Sequence, residues 1–350
     1  MRKTKTWTLI AAAVIMTGLS GCGRSSEKID TGMDQIASFD YGGAIETFNQ
    51  AIEEGEDKEL AYRGQGLAYM GLTDYANAVS SFENALENAG LFPSETETDI
   101  NFYLATSQYR SGQYQDAIAT LDAIAGLKEK RYEVYFLRGS VRLEIGETDK
   151  AIEDLNLALY YSNHDTGMTI KIYQVLDNAG KKEEGRAYLS HAIEERLSSM
   201  SDYEKGIIYY YLEDYENARD NLEAYRGGGN NDSDTLLMLG KTYEMLGDSN
   251  YAAGLYQKYL NENESVAQIW NQLGLCRIRT GQYQDALSAF NSGLAMEDNA
   301  SVLQELKFNQ IAAYEYIGDF DKAATLMRDY LNDYPDHEEA KREYTFLQSR

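Results

Sequence analysis

Cys22, Cys276, His164, His191 and His337 are the side chains of this chain best suited to nucleophilic or metal chemistry. They do not form a constellation. The histidines lie far apart, and no Ser/His/Asp set or cluster with metal-ligand spacing accompanies them. Fifty-seven aspartates and glutamates in 350 residues make the nearness of any two carboxylates uninformative. Gly227–Gly229 is not followed by the Lys-Ser/Thr that a phosphate-cradling loop needs. Asp232 and Asp234 alternate as calcium ligands do, but the loop glycine and distal glutamate of an EF-hand are missing. A turn followed by an acidic helix cap is the expectation there. No catalytic activity, metal or cofactor is expected.

The elements that would position any site are read from a period. Residues 267–300 contain Ala267, Trp270, Leu273, Gly274, Gly281, Tyr283, Ala286, Phe290 and Leu294. Trp270, Leu273 and Phe290 recur at helical spacing, and Gly274 and Ala286 are small where two helix axes must approach. Gly281 stands where a first helix ends and a left-handed residue is wanted. The equivalents of Ala286 are Ala44, Ala78, Ala117, Ala151, Gly185, Ala218, Ala252 and Ala323, with steps of 34, 39, 34, 34, 33, 34, 34 and 37 along the series. Small first-helix residues recur at Gly32, Gly66, Ala105, Gly139, Gly206 and Gly240, and turn glycines at Gly112, Gly146, Gly180, Gly247 and Gly318. Nine helix–turn–helix units follow, beginning near residues 25, 59, 98, 132, 166, 199, 233, 267 and 304. The fifth is the least regular, with Tyr173 at the small first-helix position and Gly185 in place of alanine.

The pattern W-x₂-L-G…A-x₃-F resembles the tetratricopeptide repeat. The resemblance covers about residues 25–337 and implies an all-α fold. The expected form is a right-handed superhelical solenoid of about nine repeats, closed by a polar capping helix over 338–350. Each unit buries its face against its neighbours, so one array replaces the two or three domains that length alone would suggest. Pro93 marks an insertion near Leu91–Thr98, with Ser94 or Thr96 as cap of the next helix. The glycine- and asparagine-rich run 226–234 is a candidate hinge.

The first 21 residues read as a targeting segment. Arg2, Lys3 and Lys5 precede an apolar run from Trp7 to Leu19, which is too short to span a membrane. The run ends Leu19-Ser20-Gly21-Cys22, which resembles the bacterial lipoprotein box. That resemblance implies cleavage before Cys22 and a diacylglycerol on its thiol, with residues 22–28 as a short tether. Two acyl chains hold a protein at a membrane where one does not. The expected location is therefore the extracytoplasmic side of a bacterial cell membrane, with contact to the bilayer through the lipid alone. Cys276 is left without a disulfide partner and sits at a phase that other repeats fill with Ala68, Ser107, Val141, Val175, Thr242 and Ala313. It reads as a packed, inert thiol.

Removing Arg2, Lys3 and Lys5 leaves 29 basic residues against 57 acidic, a net charge of −28. Such a body repels anionic lipid and argues against nucleic acid as a partner. A basic partner is one use of the charge, and plain solvation of acidic helix faces is the other. In the resembled family the first helices line the inside of the superhelix at positions 2, 5, 6, 9, 12 and 13. Those positions hold Arg63, Phe102, Tyr103, Tyr109, Arg110 and Phe136 in the first half. In the second half they hold Tyr203, Tyr210, Tyr211, Met238, Met245, Asn271, Arg279, Phe308, Asn309 and Tyr316. The repeat core is assigned to positions 4, 7, 8, 11, 20, 24 and 27, which leaves the lining free for an extended peptide or a partner helix. Aromatic residues and arginine are favoured anchors at interfaces. The competing use of these tyrosines is packing between repeats. The lysines that chaperone-binding members use to clamp a terminal carboxylate are missing from any run of three repeats. The expected function is a lipid-anchored extracytoplasmic scaffold for protein–protein interaction in envelope assembly or secretion. The alternative is a solute- or glycan-binding lipoprotein whose tyrosines stack on sugar rings.

Overall fold

The computed structural model describes residues 27–90, 94–127, 130–262 and 266–349. The targeting segment and Cys22 lie outside the described residues. So does 91–93, the start of the expected insertion.

Helices come in consecutive pairs. They are Glu27–Ala37 with Tyr41–Glu53 (α1, α2), Lys58–Gly71 with Tyr75–Glu87 (α3, α4), and Glu95–Arg110 with Tyr114–Ala125 (α5, α6). Next are Tyr132–Glu144 with Thr148–Tyr161 (α7, α8) and Thr166–Asn178 with Lys182–Arg196 (α9, α10). After a 3-10 turn at Leu197–Ser199 follow Asp202–Tyr211 with Tyr215–Gly227 (α11, α12) and Ser233–Met245 with Ser249–Glu262 (α13, α14). The series closes with Ala267–Arg279 and Tyr283–Leu294 (α15, α16), Leu303–Ile317 and Phe320–Asp333 (α17, α18), and a last helix Glu338–Leu347 (α19). The described residues contain no strand. Two compact units divide between Tyr188 and Leu189, inside α10. The run 226–234 lies within the second unit, where Asn230 Nδ2 donates to the Tyr225 carbonyl at 3.0 Å.

Consecutive helices pack on one another from α1 through α9 and from α11 through α19, and first helices of successive repeats also touch: α3 on α1 and α5, α13 on α11 and α15. Side-by-side first helices form one layer, the one the tetratricopeptide-repeat resemblance places inside, and second helices form the other.

Local chemistry sets the helix boundaries. Asp40, Asp57, Asp74, Asp165, Asp214, Asp232 and Asp319 each accept the amide three residues on, satisfying a donor the helix leaves open. Ser94 caps α5 in the same way at 3.1 Å. Asp232, considered above for calcium, takes the Thr235 amide at 2.9 Å and the Thr235 hydroxyl at 2.8 Å. Burial opposes its charge, yet these bonds hold its carboxyl below the ordinary aspartate range.

All nine turns within repeats pass through one left-handed residue. Glycine supplies it at Gly112, Gly146, Gly180, Gly247, Gly281 and Gly318, but Phe39, Thr73 and Glu213 adopt the same conformation at φ 63°, 59° and 66°. The turn geometry is therefore imposed by the packing of the two helices even where the residue resists it.

The core is a series of small-against-large contacts. Phe48, Phe82, Tyr256 and Phe290 are fully buried second-helix residues. A Cβ on Gly66 would sit 2.6 Å from the Phe82 ring, and one on Gly32 would sit 2.6 Å from Phe48. In the fifth repeat the roles are exchanged. Tyr173 of the first helix is buried, and a Cβ on Gly185 of the second would come within 3.1 Å of the Tyr173 carbonyl oxygen. The irregular repeat conserves volume rather than residue type.

The seventh position, expected among the core set, is polar in five repeats, at Thr31, Gln65, Arg138, Lys205 and Gln310, and in three of these it carries a rung between neighbours. Gln65 Nε2 donates to Asn49 Oδ1 at 2.8 Å and Gln310 Nε2 to Asn291 Oδ1 at 2.6 Å. In the fourth repeat Arg138 Nη1 reaches Asp122 Oδ1 at 2.7 Å. Arg138 also grips buried Asp154 through two bonds of 2.6 and 2.9 Å, and Arg142 adds a third at 2.7 Å.

Candidate binding surface

The inner face of the first unit centres on Asp99, a residue the aromatic and arginine pattern does not pick out. Asp99 Oδ1 accepts from Arg131 Nη1 at 3.1 Å, and Asp99 Oδ2 lies 3.9 Å from Arg63 Nη2. Arg63 sits over the Tyr103 ring at 5.8 Å, and Arg131 over Phe102 at 5.6 Å. Two guanidiniums on one carboxylate leave an excess positive charge flanked by aromatic faces. Arg131 precedes α7 and falls outside the six positions of the family pattern, whereas Asp99 occupies the second of them. Tyr109 packs 6.1 Å from Tyr114 under the Arg110 guanidinium, and burial pushes its hydroxyl up to about 12. Phe136 joins the core cluster of Tyr135, Leu155 and Met168 and contributes less to the open face.

In the second unit the candidates separate into two sets. One set serves the fold. Tyr203 lies 5.2 Å from Tyr225 and packs with Met238 on the cluster of Leu222, Leu236, Leu239 and Leu255. Burial is the main reason its hydroxyl is pushed up to about 12. Asn271 is 4% exposed and accepts from Asn309 Nδ2 at 2.9 Å, joining the eighth repeat to the ninth. Phe308 packs 5.7 Å from Tyr330 and 5.1 Å from His337. The same histidine is 2.7 Å from the Tyr330 hydroxyl through Nδ1. Tyr210 stands edge-on to Tyr211 at 5.6 Å and to Tyr215 at 5.7 Å.

The other set forms an open row. Met245 is 52% exposed and Tyr316 56%, and the Arg279 side chain is 51% exposed. With half-buried Tyr211 they occupy the thirteenth position of four successive repeats. Arg279 is held by an ion pair with Glu244, a carboxylate that also accepts from the Tyr256 hydroxyl at 3.1 Å. Tyr316 lies flat on Tyr283, with ring centroids 4.9 Å apart and planes 11° from parallel. The row is thus a line of large side chains fixed by their neighbours yet open to solvent. Cys276 is buried, and burial drives its thiol up to about 12, away from the reactive thiolate. Among the described residues no group of His, Cys, Asp and Glu is arranged to hold a metal ion. Nor is any helix among them long and apolar enough to cross a membrane.

Paired helices, a small-against-large core and touching first helices define a class, the helical-repeat solenoid. Comparison with known proteins names the repeat. The tetratricopeptide repeat matches at residues 103–165 and 237–300, and a second form of it at 306–337. Tetratricopeptide repeats are recognised over those stretches, and the paired, all-helical architecture of the described residues is consistent with a tetratricopeptide-repeat solenoid. It is similar to a TPR repeat-containing protein of Methanocaldococcus jannaschii, 24% identical over 270 residues. That similarity covers 73% of this chain but 46% of the relative, so the chain spans about half the relative's length. Among solved structures, a tetratricopeptide repeat protein from Parabacteroides merdae is 18% identical, with 73% of this chain and 99% of that chain covered at a TM-score of 0.48. YrrB, described as a TPR protein with an unusual peptide-binding site, is 20% identical over 49% of this chain and 87% of its own, with a TM-score of 0.39.

Proposed function

We propose that this protein is a scaffold that binds a peptide or protein segment along the inner face of its second unit. The observation that carries the reading is the row Tyr211, Met245, Arg279 and Tyr316. Large apolar and guanidinium side chains left open at one phase of successive repeats are the anchors an interface uses. Tetratricopeptide repeats bind protein or peptide partners, and proteins built from them are typically scaffolds without catalytic activity. The lipoprotein box at Leu19–Cys22 supports a finer reading. In it the scaffold is held by lipid on Cys22 at the outer side of a bacterial cell membrane and works in envelope assembly or secretion. The acidic body supports a standing distance from anionic lipid.

The test of binding is Met245→Ala combined with Tyr316→Ala, read on a synthetic peptide array and by thermal melting. Binding is expected to fall while stability moves by about 1 kcal/mol or less, the range for substitutions away from a core. Unchanged binding would place the partner site elsewhere. The anchor is tested separately. Cys22→Ser should release the protein from membranes or leave its leader uncleaved, and normal processing with full membrane retention would refute it.

A further inference from the structure

Lys241 is a cation of the inner layer with no partner among the described residues. It lies in the middle of α13, which packs between α11 and α15. Leu237 and Met238 stand one turn before it on the same face, and Glu244 and Met245 one turn after. The side chain is half-buried. It makes no hydrogen bond, ion pair or ring contact with any described residue. Glu244, the carboxylate nearest in sequence on that face, is itself almost buried and is taken by Arg279 and the Tyr256 hydroxyl. Desolvation alone pulls the ammonium below the ordinary lysine range, and no carboxylate acts on it in the opposite direction.

The same ninth position is uncharged in every other repeat, with Ile207 before it and Leu275 after it. Keeping an ammonium in partly apolar surroundings without a counter-ion is costly. That cost is recovered when an anion from outside occupies the space. We propose that Lys241 is the specificity residue of the inner face and receives a single carboxylate from a bound peptide, with exposed Met245 packing on the apolar residues that flank it. Methionine adapts its shape to such neighbours.

The net charge of −25 narrows the ligand further. Charges more than about 8 Å away are largely screened at physiological salt, but a run of acidic residues would bring several under the field of this body at once. The ligand is therefore one carboxylate in an otherwise apolar or neutral segment, not a polyacidic one. This inference rests on the proposal that the inner face binds peptides.

The experiment uses an array of short synthetic peptides in matched sets. Each neutral, partly apolar sequence appears with one glutamate, with glutamine in its place, and with a run of glutamates. The full chain is compared with Lys241→Met and Lys241→Arg, with melting curves for all three. For the peptides that bind, the single glutamate should outperform glutamine by roughly tenfold or more, the worth of one hydrogen bond to a charged group. Lys241→Met should erase that difference and keep the glutamine-level binding, and Lys241→Arg should retain it. Loss of the unpaired cation should leave melting unchanged or higher, so misfolding does not confuse the result. Peptides that bind with no preference for glutamate, or a preference that survives Lys241→Met, overturn the role of Lys241 and leave the peptide-binding surface standing. Failure of every peptide to bind overturns the peptide-binding reading and this inference with it.

Discussion

The second and fourth repeats place side chains at the same positions and fill them with different chemistry. In the second, Gln65 joins Asn49 of the preceding repeat to Ser81 of its own at 2.8 and 3.0 Å, all three neutral. In the fourth, Arg138 makes the same span from Asp122 to Asp154, with Arg142 beside it. The Asp154 side chain is 2% exposed and those of the arginines 12% and 15%. A neutral rung costs little to bury and contributes little. A charged rung costs several kcal/mol per ion to desolvate and recovers it only while every partner is present. Equivalent positions can therefore hold repeats together equally well and fail very differently when damaged.

The largest effect is expected at the charged rung. Asp154→Ala leaves two guanidiniums in a nearly closed site and should destabilise by about 3–5 kcal/mol. The check is denaturant unfolding followed by circular dichroism. Replacing Arg138, Arg142 and Asp154 together by leucine should recover most of that loss, because the desolvation penalty leaves with the charges. If the single and triple variants are equally unstable, the rung is not acting as a coupled unit. Next comes Gln65→Leu. It strands Ser81, which is buried, and should cost about 1–2 kcal/mol. Equal losses for Asp154→Ala and Gln65→Leu would break the comparison between the two repeats.

Two like charges give a third case. Glu315 of α17 is pushed up to about 7, first by burial and then by Glu343 of the last helix, with which it shares a hydrogen bond. Its folded value lies above the unfolded one of 4.5. The folded chain therefore binds the extra proton between those values, and its stability falls as pH rises through that window. Protection of α19 from hydrogen exchange should be greatest below about pH 4.5 and decline towards pH 7. Glu315→Gln should flatten the profile. A profile that instead rises across the window would reverse the assigned sign.

The period made the fold legible. Small residues at Gly66 and Ala78 and large ones at Phe82 and Phe290 recur at one phase, and backbone pairing follows from them. The rungs were hidden because glutamine, arginine and leucine alternate at the seventh position. Only the partner across the repeat boundary explains each choice. Tyr173 and Gly185 look like two defects in sequence and are one compensated contact in space. On the candidate surface, Met245, Arg279 and Tyr316 are open to solvent while Tyr203 and Asn271 are consumed by packing, a division the sequence pattern does not make because all five fall at the same set of repeat positions. Lys241 was visible as a residue, while its lack of a partner required the positions of every carboxylate around it.

The same two repeats supply the smallest prediction, in their turns. Thr73 holds φ 59° where the fourth repeat has Gly146 at φ 79°. A β-branched residue in the left-handed region is strained, by about 1–2 kcal/mol relative to an ordinary backbone conformation. Glycine removes that strain but loses more freedom on folding, about 0.5–1 kcal/mol. Thr73→Gly should therefore stabilise by roughly 0.5–1 kcal/mol, the difference between the two terms. Gly146→Thr should destabilise by a similar amount. Nothing lies within 4 Å of a Cβ built on Gly146, so backbone strain is the only new cost there. Opposite signs for the two substitutions would show that packing of the helices dictates the turn in both repeats and that glycine merely accepts it. If Thr73→Gly destabilises instead, the threonine contributes an interaction larger than its strain, and the turns of the two repeats are not equivalent.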